Sequence, residues 1–136
     1  MWKSARLKYL AIRTVEKSVC RMYKDLIIFE KMYEFNLWLF PVVQNFPKQQ
    51  RFVLGQRIQN TALSITVRII NANSQKNKQP HLKHISVELD TLRVLVRLAK
   101  DLRFLNMKQY QHANTHMAEI GRLLGGWIKK SGTSVP

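Results

Sequence analysis

Apolar residues in this chain recur every three or four positions through long stretches that neither Gly nor Pro interrupts, and that spacing commits it to amphipathic helices. A β-sandwich would need alternation with a period of two and frequent breakers, whereas only five Gly and four Pro occur. From about Asp25 the residues Leu26, Phe29, Tyr33, Leu37 and Phe40 form one apolar stripe, with Pro41 placed to kink the last turn. Phe46-Pro47-Lys48 reads as a corner, and Pro47 suits the first turn of the next helix, where its missing N–H is not needed.

The second helix is expected from about Pro47 to Asn73, with Leu54, Ile58, Ala62, Ile65 and Ile69 facing the core and Gly55 allowing a neighbour to approach. Asn73 to Pro80 is polar and reads as a loop. A third helix carries Leu82, Ile85, Leu89, Leu92, Val96, Ala99 and Leu102 in core register. Asn106 and Gln109 have the spacing of a capping box that starts a fourth helix, with Tyr110, Ala113, Met117, Ile120, Leu124 and Trp127 on one stripe ending near Lys130. Four helices with short connections pack most simply as an all-α, up-down-up-down four-helix bundle.

At 136 residues and 46% hydrophobic content the chain suits one domain with one core. The expected organisation is a basic N-terminal extension over 1–24, the bundle over 25–130 and a short tail over 131–136. The extension has seven basic side chains and one acid, Glu16. Four readings stay open for it: a basic amphipathic helix, a disordered arm, a targeting segment, or sequence upstream of a truer start at Met22.

Twenty-three Lys and Arg against eight Asp and Glu leave a formal charge of +15, which a polyanionic partner would relieve. Nucleic acid is the first candidate, because phosphate neutralisation releases counterions and the basic residues are spread along the chain. An anionic membrane surface met through residues 1–24 is the second. Cys20 stands alone, so no intramolecular disulfide or cysteine-based zinc cluster is expected, and the composition suits a reducing, cytoplasmic compartment. No apolar run approaches the roughly 18 residues of a membrane span.

Arg93, Arg97, Lys100 and Arg103 step along one side of the third helix as a positive ridge suited to phosphates, which Asp101 and Glu88 would partly neutralise. Arg51, Arg57 and Lys48 extend this surface, although Arg57 also suits a structural role along the core edge. His112, His116 and Glu119 have a spacing that converges on a metal ion, but with no His-Glu-x-x-His motif they read as an ordinary helix face. The acids are scattered singly, no nucleophile elbow or phosphate-cradling Gly-rich loop occurs, and no catalytic site or cofactor is expected. Trp127 reads as core, and Trp38 as a residue facing a partner subunit.

The stretch Glu119-Ile-Gly-Arg-Leu-Leu-Gly-Gly-Trp-Ile-Lys-Lys130 resembles the C-terminal signature of the Avd family, accessory proteins of diversity-generating retroelements. Three further segments share the family's order: Phe46 to Gln59, Leu89 to Leu102, and Lys108-Gln-Tyr110. The resemblance spans about Tyr23 to Lys130 and implies a four-helix protomer that assembles as a homopentamer. It further implies binding to RNA (the template repeat and adjacent spacer), possibly to DNA, and to the retroelement reverse transcriptase. Arg93 and Arg97 fall on the family's Leu-Arg-x-x-Leu-Arg pattern, so the resemblance gives them partner and RNA contacts. Gly121, Gly125, Gly126 and Trp127 read as residues for tight helix or subunit packing. The related four-helix proteins of ribosomal RNA intervening sequences are the alternative, along with a basic structural oligomer on anionic membranes.

Overall fold

The computed structural model describes residues 27–132, so the expected extension over 1–24 and the last tail residues lie outside it. Helix α1 covers Ile27–Gln44. After the corner, α2 (Lys48–Gln50), a π-helical turn (Arg51–Gly55) and α3 (Gln56–Ser74) run on as one rod, since Gln50, Gly55 and Gln56 all keep right-handed helical dihedrals. Helices α4 (Gln79–Asp101) and α5 (Met107–Gly132) complete an all-α, four-rod bundle in which α1, α3, α4 and α5 each pack on the next around a square.

Most of the expected core register holds. Leu54, Ile58, Ala62, Ile65 and Ile69 of the second rod are buried, as are Leu82, Ile85, Leu89, Leu92, Val96 and Ala99 of α4 and Ala113, Met117, Ile120 and Leu124 of α5. The exception is α1. Its buried residues are Ile28, Met32, Phe35, Leu39 and Val43, while Tyr33 and Leu37 of the expected stripe are 52% and 62% exposed. Both stripes have helical spacing, so periodicity alone does not choose between them. Leu102 is also half exposed, because α4 ends at Asp101 before its side chain reaches the core.

The turns follow local chemistry. Pro47 is the N-cap rather than a first-turn residue: its extended backbone (φ −51, ψ 140) leaves its carbonyl to accept from the N–H groups of Gln50 and Arg51. The expected loop to Pro80 is shorter, because Pro80 sits in the first turn of α4, where a proline costs nothing. Lys78 closes α3 by donating from Nζ to the carbonyls of Ala72, Asn73 and Gln75 at 2.7–3.1 Å. Asn106 and Gln109 form the expected capping box, with reciprocal bonds of 3.0 and 2.7 Å. Helix α5 continues through Ser131 and Gly132, two residues into the expected tail.

The π turn shapes the corner. The N–H of Gln56 bonds back to the carbonyl of Arg51, five residues earlier, and the wider turn leaves Phe52 and Val53 outside while Leu54 and Gly55 face inward. Gly55 is needed there: a Cβ would lie 2.8 Å from Val43 Cγ1 on α1.

Candidate nucleic-acid interface

The basic ridge of α4 divides into residues that hold the bundle and residues that face solvent. Arg93 is a tether. Its guanidinium donates to Asp90 Oδ1 at 2.8 Å and to the Met117 carbonyl on α5 at 3.3 Å, and its tip fills the space over Gly121. A side chain at Gly121 would meet the flexible tip of Arg93 first. Lys100 lies 4.8 Å above the Tyr110 ring and 2.9 Å from Asp101, half committed to α5.

Arg97 is different: 72% of its side chain is exposed, and its pairing with Asp101 is loose at 3.8 Å. Arg103 is exposed too and takes a left-handed backbone conformation (φ 66). It occupies the position after the helix where glycine is usual: Arg103 N–H bonds the Lys100 carbonyl and Phe104 N–H the Ala99 carbonyl, a Schellman closure. Phe104 then packs on Phe46 of the other corner, at 5.6 Å between ring centroids. The two corners therefore share one end of the bundle.

That end gathers the expected basic residues. Ser64 Oγ donates to Glu88 at 2.8 Å, and Arg68 forms an ion pair with the same carboxylate at 3.2 Å, in a geometry short of a hydrogen bond. Glu88 is thus engaged by α3 and does not neutralise the α4 ridge. The antiparallel register these contacts set puts Arg57 about level with Arg97, and Arg51 about level with Arg103. Arg57 and Lys48 are exposed and Arg51 is half-buried, so Lys48, Arg51, Arg57, Arg97, Lys100 and Arg103 surround the corner end. Among the described residues Asp101 is the one carboxylate there. Its carboxyl is held below the ordinary aspartate value, first by the hydrogen bond from Lys100, which slight desolvation opposes, and then by the charges of Lys100 and Arg97. Glu30 and Glu34 lie in the half of α1 away from this corner and Glu119 near the middle of α5, where Lys31 sits 3.7 Å from Glu34 and 3.8 Å from Glu119.

His112 and His116 belong to an aromatic seam between α1 and α5. Trp38 packs on His112 at 4.6 Å, His112 on His116 at 4.6 Å, and Phe35 on His116 at 5.6 Å. Trp38 thus packs within its own protomer, against Phe35 as well. Burial of His116, then the neighbouring His112, pushes its imidazole below its ordinary value, while Glu34 and Glu119 pull the other way and Lys31 adds to the fall. Among the described residues no three His, Cys, Asp or Glu side chains gather as a metal site.

Of the C-terminal glycines, Gly125 and Gly126 are exposed, with nothing within 4 Å of the point where a Cβ would stand, so they serve no packing inside the protomer. Trp127 is half-buried against the core. Among the described residues no helix is long and apolar enough to cross a membrane.

A comparison with curated proteins gives no match. Among solved structures, the fold is similar to that of a protein of unknown function from the S23 ribosomal protein family of Bacteroides thetaiotaomicron VPI-5482. The two are 23% identical with a TM-score of 0.71, over 78% of this chain and 98% of that one. At that identity the likeness speaks for the bundle alone. The model of the bAvd-like family matches residues 26–131, which takes in all four rods almost to the last residue of α5, and the chain belongs to that family.

Proposed function

We propose that this protein is a non-catalytic accessory factor of a diversity-generating retroelement, binding the template RNA and the reverse transcriptase to support mutagenic cDNA synthesis. Family membership supports the accessory role. The observation that carries the nucleic-acid part is the corner end, where Lys48, Arg51, Arg57, Arg97, Lys100 and Arg103 face one carboxylate. Phosphates can replace counterions there without breaking a strong internal pair. Contacts of this kind position phosphates and carry no sequence information themselves, so in this reading RNA shape and the polymerase partner contribute to specificity.

The assembly belongs to this reading. Leu37 of α1, Leu63 and Val67 of the second rod, and Val87, Val94 and Leu98 of α4 are exposed and apolar. Copies of this chain covering these faces, in a homopentamer, would repeat the basic end around a ring and turn modest contacts into avid binding.

The test is binding to structured RNA across a salt series, wild type against Arg97→Ala/Arg103→Ala at matched oligomeric mass. Each phosphate contact removed should reduce the log–log salt slope by about 1. Equal affinity and slope in the two proteins would remove the corner end as the RNA site. Arg93→Ala is a poorer probe, because it also breaks the tether to Met117. The second reading is a bundle of the ribosomal RNA intervening-sequence type, which would share this fold. A reverse transcriptase gene with paired repeats beside this gene separates the two.

A further inference from the structure

Beside the π turn, between the end of α1 and the start of α3, lies a half-open pocket of about 430 Å³. Val43 forms part of its apolar wall, and Phe52 stands at its edge with 72% of its surface exposed. Gln44, Gln56, Gln59 and Asn60 bring four carboxamides to the lining, none of them in a hydrogen bond to another described residue. Arg51 supplies the charge, and its Nε is buried with no acceptor.

This combination is unusual for a wall that only closes a bundle. Nε of Arg51 is sealed from solvent, so an anion in the pocket reaches the guanidinium only as the side chain turns toward it, a movement that would also relieve the unpaired N–H. A large aromatic ring held outside by a π turn forgoes the burial that the same residue would gain one position further on. Carboxamides offer a donor and an acceptor side by side, matching the edge of a heterocyclic base, and an exposed ring offers a face for it to stack on.

We propose that this pocket takes an unpaired nucleobase of single-stranded RNA, stacked on Phe52, its edge held by the carboxamides and its phosphate by Arg51. The inference rests on the nucleic-acid reading above and adds to it a base contact on the α1–α3 side, apart from the Arg93–Arg97–Lys100 line on the α4–α5 side. A neutral ligand would leave the charge of Arg51 unmatched, and a cationic ligand would meet a protein of formal charge +15. A strand passing the basic corner can set one base into the pocket while its neighbours keep their phosphates on Lys48 and Arg57.

The experiment compares short single-stranded RNA with the same strand made abasic, for wild type, Phe52→Ala, Phe52→Trp and Gln59→Ala, with oligomeric mass checked for each. Phe52→Ala should weaken binding of the base-bearing strand by about 5- to 100-fold, with little change for the abasic strand. Phe52→Trp should restore it, and Gln59→Ala should narrow the preference among bases. Equal loss on both strands, or none on either, overturns the pocket as a base site. If both strands still bind wild type equally and with steep salt dependence, the pocket fails and the phosphate reading stands. If wild type binds no RNA, both fail together. Loss of oligomeric mass in Phe52→Ala, with base preference unchanged, would make the pocket a protein–protein contact and overturn the proposal.

Discussion

The outer surface of α5 and the outer surface shared by α1, α3 and α4 are built on different rules. Helix α5 turns Gln111, His112, Asn114, Thr115, Arg122, Lys129 and Lys130 outward, and its single large exposed apolar residue is Met107, at its start. The other three helices expose Tyr33, Leu37, Leu63, Val67, Val87, Val94 and Leu98. A scattered apolar residue on a surface needs no explanation, but stripes repeated on three neighbouring helices and absent from the fourth do. Helix α5 is finished as a solvent face, and the opposite side is the one that the proposed assembly would cover.

The sharpest way to break that contrast is on α1, where both stripes are apolar. Phe35 is fully buried, and Phe35→Ala should lower the unfolding free energy by about 3–5 kcal/mol in a denaturant titration. Leu37, two residues on and pointing out, should behave otherwise: Leu37→Lys should leave helix content intact and reduce the oligomeric mass in light scattering. A protein that keeps its mass with Leu37→Lys would show that the α1 face is not where copies meet.

The same contrast explains what the sequence made legible. In α3, α4 and α5 the core series is longer and more continuous than any other apolar series, so the spacing fixes Ile58, Leu92 or Ile120 in the core even though α3 and α4 also expose Leu63, Val67, Val87, Val94 and Leu98. In α1 a second stripe of Phe29, Tyr33, Leu37 and Phe40 has equal claim, and only the tertiary partner decides that Met32 and Phe35 go inside. The Asn106–Gln109 box was readable because its chemistry is local. Arg93 was readable as a cation but not as a tether, since its acceptor at Met117 is 24 residues away. Phe52 gave no signal at all: a π turn adds one residue to the count, and a 3.6-residue period does not anticipate it.

Gly55 tests how tightly the corner depends on that turn. A methyl group there would lie 2.8 Å from Val43 Cγ1, on a buried β-branched side chain with few rotamers to turn to. Gly55→Ala should therefore destabilise the protein by about 1–3 kcal/mol despite alanine's better helix propensity. Because Val43 also lines the pocket beside Phe52, the same variant should disturb single-stranded RNA binding. Unchanged stability would mean that α1 shifts freely over the π turn.

Gly125 is the matching test on the α5 side, with the smallest expected effect. It lies well inside a long helix, exposed, with open space where a side chain would go. In a lone protomer Gly125→Ala should stabilise the helix by up to about 1 kcal/mol, a rise of a few degrees in Tm, because the backbone loses freedom it gained nothing by keeping. A fall in Tm together with a fall in oligomeric mass would instead place a neighbouring copy against Gly125. The α5 surface would then be a second interface made from small residues, and the division into one covered side and one solvent side would give way to a ring whose protomers meet through both.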